Sequence, residues 1–96
     1  MRHYIALIHK ESESSFGVSF PDLPGVVTAG DTIDDAMQNA AEVLEFAAED
    51  WCEVKGAAFP QPRSIDALRS DPEFIERSVD AIVAAVPLRT RAEAAE

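Results

Sequence analysis

Ninety-six residues with a 47% apolar fraction make one domain with a modest core, since a chain of this size buries roughly two-thirds of its unfolded surface and has no room for a second complete domain. Eighteen acids against eight bases leave a formal charge of −10, and the bases, from Arg2 and Lys10 to Arg89 and Arg91, are scattered; this excludes a free-standing nucleic-acid binder and suits a basic protein partner or simple solubility. There is no apolar run of about 18 residues, no charged start leading into an apolar stretch, and only one cysteine, Cys52, so the sequence predicts a cytoplasmic protein without a membrane span, signal peptide or internal disulfide.

Residues 2–10 read as a central strand, with Tyr4, Ala6 and Ile8 on one side and His3, Ile5, Leu7 and His9 on the other. The polar run Glu11 to Ser15 predicts a hairpin loop into a second strand, Phe16 to Phe20, whose large residues Phe16, Val18 and Phe20 share a face. Pro21 and Pro24 remove two backbone donors and Gly25 can take a positive φ, so Pro21 to Gly25 predicts a rigid turn before a third strand at Val26 to Ala29. Thr32 is a good N-cap, with Asp35 three residues on and Asp31 and Asp34 near the positive helix end, which starts a helix at about Ile33.

Within that helix Ile33, Met37, Ala40, Leu44, Ala47 and Trp51 recur every three or four residues, while Asp35, Gln38, Asn39, Glu42, Glu45, Glu49 and Glu53 occupy other faces. Lys55 complements the negative helix end and Gly56 stops it. Ala57 to Arg63, with two prolines, predicts a stiff connector; Ser64 caps a turn over Ile65 to Arg69, and Asp71-Pro72 begins another carrying Phe74 and Ile75. Val79 to Val86 predicts a strand that ends at Pro87.

The expected fold is α+β in the order β-β-β-α-β: a three-stranded antiparallel meander, a fourth strand, and one main helix on one sheet face. A fourth strand parallel to the first would place the helix through a right-handed crossover. One helix would leave Ile5 and Leu7 on a face wanting a neighbour, and an apolar edge strand carrying Ile82, Val83 and Val86 would invite another chain; a homodimer or larger assembly is expected.

Three stretches carry a resemblance: Met1-Arg2-His3-Tyr4-Ile5-Ala6-Leu7-Ile8-His9-Lys10, then Phe16-Gly17-Val18-Ser19-Phe20-Pro21-Asp22-Leu23-Pro24-Gly25, then Thr28-Ala29-Gly30-Asp31-Thr32 leading into an Ala- and Glu-rich helix. With these the chain resembles the HicB family of antitoxins of bacterial type II toxin-antitoxin systems over about residues 1 to 88. Many members carry Cys after that Gly; Val26 stands there, a tolerated strand substitution. The resemblance implies a partial ribonuclease-H-like fold and a partner, a HicA-like toxin, which is a small basic mRNA-cleaving ribonuclease that the antitoxin docks on and masks. Residues 1–88 would form the toxin-binding domain. Arg89 to Glu96 would be a tail, a possible stub of the DNA-binding module that family members commonly carry, so this chain alone is not expected to bind nucleic acid directly.

The sequence offers no catalytic set. A ribonuclease-H-like nuclease needs several carboxylates converging on divalent metals; the first strand has no acid, and Glu42 and Asp80 alone do not complete the set. His3 and His9, roughly 20 Å apart along one strand, cannot share a metal. No serine or threonine lies in a nucleophile elbow, and neither a phosphate loop nor a Cys/His metal motif is present, so no catalytic residue, metal or cofactor is expected. The candidate toxin contacts are Asp22, Leu23, Asp31, Asp34, Asp35 and Glu42. Each has a structural alternative: Asp22 braces the turn, Leu23 covers the core, Asp31, Asp34 and Asp35 serve the helix start, and Glu42 faces water. A different class of function, a stand-alone oligomeric ribonuclease-H-like remnant with a ligand-binding or hydrolytic role, is the competing expectation.

Overall fold

The computed structural model describes residues 2–10 and 15–89. Residues 11–14 of the expected hairpin loop Glu11 to Ser15, the tail beyond Arg89, and the side chains of Cys52, Val54 and Lys55 lie outside what is described. The chain forms β1 (His3–Lys10), β2 (Phe16–Ser19), β3 (Val27–Gly30), α1 (Ile33–Lys55), α2 (Ile65–Arg69), α3 (Pro72–Arg77) and β4 (Ile82–Pro87). The strands make one sheet in the order β3-β2-β1-β4, every pair antiparallel.

Local signals set where the helices begin. The Thr32 hydroxyl accepts from the Asp35 amide at 3.0 Å, Ser64 Oγ accepts from Ala67 N at 3.1 Å, and an Asp71 carboxylate oxygen accepts from Glu73 N at 3.0 Å with Pro72 opening α3. Each satisfies an amide that the first helical turn leaves without an intrahelical partner. Gly56, at φ 69°, ends α1 in the left-handed conformation.

The condition of a parallel fourth strand is corrected. After α3 the chain reverses at Ser78 to Ala81, where Ala81 N donates to Ser78 O and Asp80 takes φ 62°, so β4 joins the sheet where β1 leaves it and pairs Ile82 with Ile8 and Val86 with Tyr4. Val79 and Asp80 are spent in that turn, and β4 starts three residues later than the apolar run suggested.

Two cores result, one on each sheet face. Tyr4, Ala6, Ile8, Val18, Phe20 and Val86 meet Ala36, Ala40 and Leu44 of α1 on one side. On the other, Leu7 packs with Leu68 of α2 and Phe74 of α3, with Ile5, Ile65 and Ala81 around them. The expectation of an open face at Ile5 and Leu7 is therefore corrected, because the short helices cover it: Leu7 is fully buried and Ile5 partly so. Val86 is also fully buried, under α1, so its side chain is not offered at the edge; Ile82 (45% exposed) and Val83 (44%) are. The connector is fastened from below, with the Tyr4 hydroxyl donating to Pro60 O at 2.6 Å and the Phe59 ring lying between those of Tyr4 and Trp51 at 5.4 Å centroid spacings. Burial pushes the Tyr4 phenol above its ordinary pKa and keeps the donated proton in place.

Candidate functional site

The turn Pro21 to Gly25 is held from both ends. Leu23 N donates to Phe20 O at 3.0 Å and Val26 N to Leu23 O at 3.1 Å, while Gly25 sits at φ 89°, where a Cβ would be strained. Leu23 is fully buried against the α1 core, so it covers the core and is not an anchor at the turn tip. The Asp22 side chain is only 7% exposed, and it accepts from both the backbone amide of Arg63, at 2.8 Å, and Arg63 Nε. The same guanidinium reaches Asp71 at 3.0 Å. One arginine thus ties the turn, the connector and the cap of α3, and two of the expected contact residues, Asp22 and Leu23, are taken up by the fold.

That tie has a pH signature. The hydrogen bond from Arg63, then that from the Glu73 amide, hold the Asp71 carboxyl below its usual range. A depressed folded pKa contributes stability above the unfolded value that is lost as pH falls through the folded one. Asp71→Asn, which keeps an N-capping oxygen, is expected to flatten the dependence of stability on pH below about 4; urea titrations at stepped pH would show it, and an unchanged acid slope would remove the link.

Asp31, Asp34, Asp35 and Glu42 are exposed. The helix does not gather them into one patch. At about 100° per residue, Asp35 and Glu42 lie within about 20° of each other around α1, whereas Asp34 points about 100° away from Asp35 and Asp31 precedes the helix.

The Asp35–Glu42 line continues through Phe46, Glu49, Asp50 and Glu53, and Phe46 is 65% exposed. Phe46 is missing from the contacts expected from sequence. The signal was present, because Phe46 is out of phase with the Met37, Ala40, Leu44 and Trp51 line by nearly half a turn.

On the second sheet face, β2 and β3 are left uncovered beside α3. A cleft of about 320 Å³ runs between the turn, Val27 and the α3 residues Glu73, Phe74 and Arg77, next to a hollow of about 350 Å³ over Gly17, Ser19 and Ala29. Arg77 donates to Ser19 Oγ at 3.3 Å, and its carbonyl lies 2.9 Å from His9 Nε2, which gives that histidine a place in the packing of α3. Among the described residues no three His, Cys, Asp or Glu side chains gather as metal ligands, and no helix is long and apolar enough to cross a membrane.

Residues 4–94 match the model of the HicB-like antitoxin of bacterial toxin-antitoxin system. The fold is similar to the crystal structure of the Burkholderia pseudomallei antitoxin HicB, with a TM-score of 0.73 and 30% identity over 93% of this chain and 64% of that one. It is also similar to the N-terminal domain of that antitoxin (TM-score 0.67, 29% identity, 88% of this chain and 95% of that one) and to a chain of the HicA3 and HicB3 toxin-antitoxin complex (TM-score 0.62, 29% identity, 88% and 95%). An uncharacterized 14.9 kDa protein in the rep-hol intergenic region of Haemophilus phage HP1 (strain HP1c1) is 39% identical over 57 residues, 59% of this chain. The match spans 42% of that phage protein's length.

Proposed function

The chain belongs to the HicB-like antitoxin family of bacterial toxin-antitoxin systems, and from that premise we propose that it binds a small basic HicA-like mRNA-cleaving toxin and masks its active surface. The observation that carries this is the likeness to a chain of the HicA3 and HicB3 complex, which extends over 95% of that chain. The formal charge of −10 supports it, because an acidic surface speeds encounter with a basic partner and repels competing phosphate. The same charge, with its scattered bases, supports a chain that does not itself contact operator DNA. Asp31, Asp34, Asp35 and Glu42 remain candidate toxin contacts.

The test is binding and inhibition with the basic protein encoded beside this chain, read by RNA cleavage at two salt concentrations. Stoichiometric inhibition, with affinity falling as salt rises, is expected; a neighbouring protein that neither binds nor is inhibited would overturn the antitoxin role.

We further propose a homodimer or larger assembly through β4. Both β3 and β4 are sheet edges, but Asn39 Nδ2 donates to Ala29 O at 2.8 Å and occupies an acceptor of β3, whereas β4 keeps Ile82 and Val83 exposed on an uncharged strand. Light scattering is expected to read at least twice the 10.4 kDa chain mass; a monomer at micromolar concentration would exclude the assembly.

A further inference from the structure

Phe46 is the only aromatic side chain among the strongly exposed apolar residues of the described chain, and at 65% it is also the most exposed of them. It cannot turn inward. Around α1 it lies about 160° from Leu44 and about 180° from Met37, on the side away from the sheet. Nothing in the packing of α1 on β1, β2 and β3 uses this ring.

Its surroundings are acidic. Glu42 lies one turn before it and Asp50 one turn after, Glu49 is three residues on, and Asp35 and Glu53 extend the same line. The stripe is about 27 Å long at 1.5 Å per residue. Solubility accounts for the acids but not for a phenyl ring presented among them, since each such residue favours self-association. An aromatic ring surrounded by charge has the composition of an interface centre with a polar rim.

We propose that this outer face of α1, centred on Phe46, is the surface on which the basic toxin docks. The inference rests on the antitoxin reading and names its contact face. Charge complementarity selects the occupant: lysine or arginine heads of the partner meet Glu42, Asp50 and their neighbours, and the ring takes an apolar hollow or the face of a cation. A second copy of this chain, carrying the same −10, would bring like charge to the stripe.

The experiment measures affinity for the same HicA-like protein used in the inhibition assay, with Phe46→Ala, with the double variant Glu42→Lys/Asp50→Lys, and with Val27→Ser on the uncovered sheet face as a comparison. Because Phe46 is exposed, Phe46→Ala should melt with the wild type. Its affinity is expected to fall at least about 30-fold, the size of an interface hot spot. The double reversal is expected to slow association and reduce its salt dependence, and Val27→Ser to bind as wild type does.

Binding within about twofold of wild type by both α1 variants would overturn the inference while leaving the antitoxin role in place. Loss of binding in Val27→Ser alone would move the contact to the sheet face and overturn it too. So would a Phe46→Ala chain that changes oligomeric state but still binds the toxin. A wild-type chain that does not bind at all would remove the antitoxin reading and this face with it.

Discussion

Leu23→Ala is expected to destabilise the fold by about 2–5 kcal/mol, the range for a buried leucine truncated in a packed core, which for a chain of this size lowers Tm by at least about 10 °C. Leu23 is fully buried, and the hydrogen bonds from its own amide to Phe20 O and to its carbonyl from Val26 hold the turn, so the surroundings cannot collapse into the space. Urea or thermal unfolding reads the loss directly. Once the fraction folded is taken into account, affinity for the proposed HicA-like partner should equal that of wild type. Phe46→Ala should give the opposite pair of results, unchanged melting and weakened binding. A Leu23→Ala protein that melts normally but does not bind would mean that the turn tip is the anchor after all.

Gly30→Ala is expected to cost about 3 kcal/mol or more, at the upper end of what an added methylene costs in a packed site. A Cβ placed at Gly30 would lie 2.4 Å from Ala36 N, 2.7 Å from Asp35 C and 2.8 Å from Ala36 Cα. These are backbone atoms of the first turn of α1, which cannot rotate aside as a side chain could. Relief would require lifting that turn off the end of β3, with strain on the Asn39 bond to Ala29 O and on the packing of Ala36 and Ala40. Denaturant titration should show a lower midpoint with an unchanged slope; a midpoint equal to wild type would show that the strand and helix have room to part.

Both positions bear on how much of the molecule is legible before folding. Gly30 reads in the sequence as a residue handing a strand to a helix, and its close approach to Ala36 comes only from the angle at which α1 leaves β3. Asp22 illustrates the same limit from the other side. Its presence in a Pro-rich turn indicates a brace, but its partner Arg63 stands 41 residues away, beyond the reach of any local rule. Phe46 shows a third case, in which helical phase already placed the ring outside the apolar line.

The sequence by itself determined the element order, the caps at Thr32 and Ser64, the start of a turn at Asp71-Pro72, the rigid turn at Pro21 to Gly25, the acidic balance and the family resemblance. The elements, caps and turns follow from hydrogen bonds, φ preferences and periodicities that act within a few residues, and the charge and the resemblance are read from composition and motif. Only the tertiary structure decided that β4 runs antiparallel to β1, that α2 and α3 cover Ile5 and Leu7, that Leu23 and Val86 belong to the interior, and that Asp22 is tied to Arg63. Those outcomes depend on which distant segments pack together, where burial and chain closure choose among arrangements that the local signals leave equally open.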